Sequence, residues 1–449
     1  MTQSPQNHSM KAFTTIWLGE LLSIIGSGIT TFGLGVWIYQ LTNSATLFAL
    51  ITLAATLPAI VISPVIGALV DRWDARRVML FSDIGAALAT LAIAILIWTD
   101  QLAIWHIYVA MGAASICNAF QQPAYQVAAT MLVPKKFYAS ASGMMQSGMG
   151  AQYIISPVLA GSLIGLIGIH GIILIDFITF FFALFALYIV RIPRPEATAE
   201  GQKGRGSLWQ EVAQSWYYLR DRPGLSRLMV IIASGNFMIG FLAVLAGPMM
   251  LSLFGSPTIL GITMSVAGSG MLIGSIALAA TGGPKKLVQG LFISMIIGGL
   301  GIFAMGLRPN VVLITASCFT FFLMMPIGRG CFETLLRLKV VPDMQGRMFS
   351  FTRMIAMFST TLAYVAAGPL TDQVFEPLMR ADGPLASSIG QIIGVGPGRG
   401  IGLLLIISGA LIVVITAAGY SSTRVRRIEE ELPDVVADDL TLTEPQLSF

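Results

Sequence analysis

The sequence predicts an all-α membrane protein of about twelve transmembrane helices, arranged as two pseudo-symmetric six-helix bundles. Three observations carry this. Of 449 residues, 55% are hydrophobic and only 11% charged, with a mean hydropathy of +0.80; soluble domains carry about 25% charged residues, so lipid must cover much of this surface. Twelve apolar stretches are each long enough to cross a bilayer core of about 30 Å, which takes about 20 helical residues. Finally, a polar, charged segment divides the twelve into two sets of six.

In order, the spans fall at 13–39, 46–70, 78–99, 102–132, 138–165 and 169–190, then 226–254, 258–281, 287–307, 310–338, 347–371 and 400–420. The opening residues MTQSPQNHSMK are polar and the first apolar run is of spanning length, so no cleavable signal peptide is expected. Residues 1–190 form the first bundle, 191–227 a linker, 228–420 the second bundle and 421–449 a tail. The linker opens with IPRPEATAEGQKGRG and continues as SLWQEVAQSWYYLRDRP, where Trp209, Val212, Trp216 and Leu219 share one helical face, as in a helix lying at a membrane surface. Val133-Pro134 before span 5 and Val341-Pro342 before span 11 repeat at an offset of 208 residues, bringing Ser142 and Ser350 into register; Ser44-Ala-Thr46 and Ser256-Pro-Thr258 repeat at 212. Two matches at nearly one offset, each at the same span boundary, point to duplication of a six-helix unit.

Basic residues fix an expected orientation. With the N-terminus inside, 21 of the 26 Lys and Arg fall on the inner side, three outside (Arg308, Arg380, Arg399) and two within spans (Arg329, Arg353). The positive-inside rule then places both termini in the cytoplasm of a multi-pass protein of the cell's inner membrane. The outer segment 371–399 is rich in Gly and Pro; its GVGPGRG run lacks the Walker spacing and reads as turns. The tail RVRRIEEELPDVVADDL is a basic membrane-flanking patch followed by an acidic stretch. Cys117, Cys318 and Cys331 lie inside spans with no metal-ligand spacing.

Between spans 2 and 3 stands GALVDRWDARRVML, residues 67–80. Gly67 permits close helix contact, Asp71 is placed to face the positive end of another helix or an Arg, and Arg72, Arg76 and Arg77 hold the turn at an anionic inner surface. The run resembles the signature loop of the major facilitator superfamily, with Asp74 replacing the usual Gly and Ala75 a usual basic residue. The resemblance implies a gate in which the acid meets span 11 and locks the outward-facing state. In span 5, Gly143, Pro157 and Gly161 match part of the glycine pattern of drug–proton antiporters, with Gln152, Ser156 and Ala160 in place of its other glycines; ordinary helix packing explains these positions almost as well. WDARRVML, DFITFFFALFALYIVRIPRP (176–195), AAGPLTDQVFEPLM (366–379) and GPGRGIGLL are similar to the bacterial branch that holds macrolide-efflux and enterobactin-exporter-like transporters. The likeness runs to about residue 435 and implies export of an amphipathic small molecule, peptide or siderophore.

Charges in mid-membrane are expensive and face a cavity or a partner. Glu20, Asp176, Arg329, Glu333 and Arg353 are the candidates for proton coupling or a substrate cavity, with Gln152 and Asn236 among the neutral polar groups that could line one. Asn118, Gln121, Gln122 and Gln146 are of the same kind. Asp83 lies nearer the inner surface and carries less weight. Arg329 lies about 15 Å from the inner edge, Glu20 about 10 Å in from that side and Asp176 about 10 Å in from the other. Arg329 and Glu333 are spaced i, i+4 and can pair, and Glu20 is expected to compete with Glu333 for Arg329. The Phe- and Met-rich run Phe319–Met325 suits an adaptable apolar pocket, or a lipid-facing surface.

The expected function is secondary active transport by alternating access, coupled to protons because buried carboxylates exchange a proton when each faces water in turn. Expected partners are a small-molecule substrate, protons and the lipid bilayer, with no nucleic acid, no cofactor, no metal and no catalytic residues; the oligomeric state stays open, a monomer included. Two alternatives remain: an importer of a small solute, and a non-transporting receptor or assembly partner.

Overall fold

The computed structural model describes residues 10–70, 73–134, 137–193 and 216–431. The long helices are α1 (Met10–Thr42), α2 (Ala45–Val70), α3 (Ala75–Trp98), α4 (Ile104–Leu132), α5 (138–167) and α6 (169–189), followed by α7 (Pro223–Phe254), α8 (Pro257–Thr281), α9 (Leu287–Leu307), α10 (Val311–Lys339), α11 (Pro342–Leu370) and α12 (Arg399–Ser421). Among the described residues, ten helical runs are long and apolar enough to cross a membrane. One of them, Ser140–Ile189, breaks at Gly168, whose φ of 64° is closed to most side chains. Helix α4 has the length of a span but carries Asn118, Gln121 and Gln122 in its interior. The long helices among the described residues are consistent with the twelve stretches expected.

The helix ends follow from local chemistry. Asp74 caps α3 by accepting from the Arg77 amide at 3.2 Å, so the residue that departs from the family pattern is a working N-cap. Gly255, in the left-handed region, ends α7; Ser256 then caps α8 through the Ile259 amide, with Pro257 at the first helical position. Asn310 caps α10 through the Leu313 amide.

Antiparallel succession puts the starts of α1, α3, α5, α7, α9 and α11 at one end of the bundle. Most Lys and Arg are there, and it is called the basic end below. Helix α1 seats against α6 through small residues: a Cβ at Gly19 would come within 2.9 Å of the Ala186 methyl. Such close approach is what helix association in lipid relies on. The two halves have separate cores at the basic end. One is built on Phe13, Met79, Leu132 and Leu187, the other on Leu225, Phe292, Leu336 and Met348. At the opposite end Val36, Tyr39, Ala45 and Ala49 of the first half share a core with Leu245, Met249, Ala363 and Ala367 of the second. The molecule is therefore joined at the end opposite the basic one.

Two expectations need amendment. Trp209 and Val212 lie outside the described residues; of their helical face, Trp216 is exposed while Leu219 is buried in the second-half core. Ahead of its GVGPGRG run, which is turns and bends up to the start of α12, the segment 371–399 is partly helical. It contains a π-helical turn (Thr371–Phe375), which continues α11, and short helical turns at Glu376–Leu378 and Ile389–Ile393. Arg399, counted with the outer loop, is buried: its Nη2 donates to the carbonyls of Gly306 (2.8 Å) and Leu307 (3.1 Å), satisfying the C-terminal end of α9.

Candidate functional site

A polar site lies buried in the first half. Gln121 of α4 donates both hydrogens of its amide, one to Glu20 Oε1 of α1 at 2.8 Å and one to Asp83 Oδ1 of α3 at 3.0 Å. All three side chains are nearly sealed, with Glu20 4%, Asp83 5% and Gln121 8% exposed. Three polar atoms here have no hydrogen-bond partner among the described residues: Asp83 Oδ2, Gln121 Oε1 and, one turn along α4, the Tyr125 hydroxyl. Two carboxyl groups thus share one amide, with no cation among the described residues bonded to either. Burying two carboxylates this way is costly unless at least one holds a proton.

Nearer the opposite end, Asp176 of α6 is 2% exposed and accepts from Ser27 Oγ of α1 (3.1 Å) and Thr90 Oγ1 of α3 (3.3 Å). Helices α1 and α3 therefore contribute to both buried acidic centres of the first half.

The charged groups of the second half are arranged differently. Arg329 Nε donates to Glu333 Oε1 at 2.8 Å, and the two side chains are 71% and 37% exposed. Arg353, in α11, is exposed too. Arg329 lies ten residues, about 15 Å, inside the end of α10. A charge at that depth is expensive against lipid and normally faces a cavity or a partner. Glu20 is bonded to Gln121 instead of Arg329, so the expected competition for Arg329 has no contact behind it in this conformation. Asn236 donates to the Ile232 carbonyl on its own helix (2.9 Å), and the Gln152 side chain packs against Gly28 of α1.

In the α2–α3 turn, Gly67 falls in the last turn of α2, while Asp71 and Arg72 lie outside the described residues. Arg76 reaches the end of α6: its Nε donates to the Leu187 carbonyl (2.9 Å) and its Nη2 to that of Tyr188 (3.0 Å). Arg77 is exposed.

In α5, Pro157 and Gly161 meet α8 of the other half at backbone distance. A Cβ on Gly161 would strike the Pro257 carbonyl and one on Gly261 the Pro157 carbonyl, while Thr258 Oγ1 donates to the Gly161 carbonyl at 3.0 Å. Ser265 Oγ donates to the Ile154 carbonyl one turn further. Gly143 has open space around it.

Sequence reasoning missed two acids. Asp372 accepts from the Ser44 hydroxyl (2.7 Å) and from the amides of Ala45 (3.1 Å) and Thr46 (2.9 Å) at the start of α2. Glu376 accepts from the amides of Gly398 (3.2 Å) and Ile401 (3.1 Å) at the start of α12. Their signal was available: two acids four residues apart, directly after a long apolar span, in TDQVFEP. It also undervalued Asp83, because depth counted along one helix ignores what the neighbouring helices cover.

Comparison with known proteins agrees with this architecture. The sequence profile of the Major Facilitator Superfamily matches residues 16–364. Macrolide efflux protein A of Streptococcus pyogenes is 27% identical over 365 residues, 81% of this chain and 90% of that protein. The protein of the same name from Enterococcus faecalis is 29% identical over 305 residues, 67% and 94% of the two chains. Multidrug efflux pump Tap of Mycolicibacterium fortuitum is 22% identical over 376 residues, 80% and 88%. Among solved structures, a bacterial homolog of the human lysosomal transporter Spinster superposes with a TM-score of 0.70 at 14% identity, over 96% of this chain and 99% of that one. With long apolar helices throughout its described residues, two halves joined at one end and a profile match across most of its length, the chain belongs to the Major Facilitator Superfamily and is a multi-pass membrane transporter.

Proposed function

We propose that this transporter is a proton-coupled exporter of an amphipathic compound, a macrolide-like drug, peptide or siderophore, working by alternating access. Its relatives named for macrolide and multidrug efflux support the direction and substrate class. The observation that carries the coupling is the Glu20–Gln121–Asp83 site, two buried carboxyl groups on one amide. A site of this kind holds a proton while sealed and exchanges it when the conformational cycle admits water. Asp176 is a second proton site in reserve. Arg329, Glu333 and Arg353, exposed deep within their helices, are read as lining the aqueous cavity, with Gln152 and Asn236 as neutral polar groups near it. Gly67, Asp71, Arg72, Arg76 and Arg77 are read as the inner gate, and Gly143, Pro157 and Gly161 as the span 5 packing element. The basic end is assigned to the cytoplasm on the 21-to-3 distribution of basic residues, with both termini there and the protein in the inner membrane. The conformation described is then closed outside and open inside.

The test is accumulation of a macrolide and of a siderophore in cells with and without the protein. Lower accumulation of at least one, abolished by a proton ionophore, is the expected result. Gradient-driven uptake in right-side-out vesicles would reverse the assigned direction.

A further inference from the structure

We propose that Asp372 is an outer latch: its carboxylate caps α2 across the interface between the halves and sets how much of the protein stands closed outside. The proposal rests on the alternating-access reading above. The segment bearing Asp372 follows α11, in the second half, and its three donors belong to the first four residues of the connection into α2, in the first half. Both carboxylate oxygens are used. Oδ1 takes the Ala45 amide, and Oδ2 takes the Thr46 amide and the Ser44 hydroxyl. These amides are at a helix start, where they have no partner within α2. A negative charge there also meets the positive end of the α2 dipole, and hydrogen bonds to a carboxylate are about twice as strong as neutral ones.

The latch is held in place from its own side. Pro369 removes a backbone donor in the last turn of α11 and crowds the carbonyl four residues before it. The chain then widens into the π-helical turn Thr371–Phe375, a geometry concentrated at functional sites. One turn later Glu376 accepts the Gly398 and Ile401 amides of its own half, tying the far side of that turn to α12. Asp372 thus projects from a fixed support toward the other half. The approach is close: a Cβ on Gly368 would collide with the Thr46 backbone. If the halves separate at this end, all three contacts to Asp372 are lost together, while the two contacts to Glu376 persist. A mere helix cap within one half would not distinguish the states; a cap that spans the halves exists only when that end is closed, so it biases the equilibrium.

The experiment measures a distance and needs no substrate, so it stands apart from whether the export assay succeeds. Nitroxide labels go at Leu41, exposed at the end of α1, and Val374, exposed in the π-helical turn, in protein with Cys117, Cys318 and Cys331 replaced by Ala. Pulsed electron–electron distance measurement then reports the two ends moving apart. Asp372→Asn presents one oxygen and one NH2 where two oxygens are needed, and should lower the closed-to-open ratio by about tenfold, as expected for loss of a charge-assisted cap. Ser44→Ala removes one donor and should shift the ratio the same way by less. It decides the matter if Asp372→Asn fails to fold. Gly368→Ala is a steric wedge that should open this end whatever Asp372 does, and it shows that the labels register opening. Wild-type distances in folded Asp372→Asn, or in Ser44→Ala where the former does not fold, with Gly368→Ala opened, would overturn the proposal.

Discussion

Glu20 and Asp83 come from different helices, and among the described residues only Gln121 bonds to both. That arrangement makes a specific demand on the chemistry. A proton held by either acid would lower the charge that the two helices bury together. Glu20→Gln and Asp83→Asn each keep the volume and remove one titrating group. Each variant should bind substrate much as the unaltered protein does while losing most of the proton release that substrate addition causes in purified protein. Release unchanged in both single variants and in the double variant would make these acids structural and move the coupling role to Asp176. The sequence displays each of these residues as a polar interruption of an apolar span, and that is all a single span can display. Which interruptions meet depends on helix rotation and neighbours. For that reason Glu20 is paired by sequence reasoning with Arg329 in the other half, when its actual partner is the Gln121 amide.

Elements were far easier to read than their contacts, because an apolar stretch of spanning length is a one-dimensional property. Even the break between α5 and α6 was placed within a few residues of Gly168. The π-helical turn was not legible: Thr371–Phe375 looks like the start of a polar loop, and its continuation of α11 is set by Pro369 and by what Asp372 and Glu376 bind. Helix α5 shows how packing and mechanism share residues. Gly161 and Gly261 each face a proline carbonyl of the partner helix, so the α5–α8 seam has no room for a side chain. Gly161→Leu should cost about 1–3 kcal/mol through overpacking if the seam stays closed. If α5 and α8 instead separate to relieve the clash, the opposite end opens. Thermal unfolding in detergent distinguishes these outcomes when read beside the Leu41–Val374 distance: a lowered midpoint at unchanged distance marks a static seam, and a lengthened distance at unchanged midpoint marks a moving one. The placement of Gly161 against the other half leads us to expect the second.

At the scale of the whole molecule, α2 and α11 stand in a reciprocal relation. Asp372 follows the end of α11 and caps the start of α2. Asp71 follows the end of α2, and the family resemblance assigns it to the start of α11. Helix α11 has 29 residues, about 43 Å, so its two ends lie on opposite faces of the membrane. Halves that rock about a central site close one face as they open the other, so the two caps belong to different states. Their loss should therefore act with opposite sign. Asp372→Asn should raise the population with a long Leu41–Val374 distance, and Asp71→Asn should lower it. If the two caps act independently their effects combine additively, so the double variant should return close to the wild-type ratio. Transport should nevertheless fall in all three if each cap is an interaction that the cycle uses. A double variant whose distances match those of Asp372→Asn alone would show that Asp71 stabilises neither state, leaving the α2–α3 turn with a topogenic role only. Restoration of the ratio without restoration of transport would instead mean that turnover depends on forming each cap in its turn, and that balancing the two populations is insufficient.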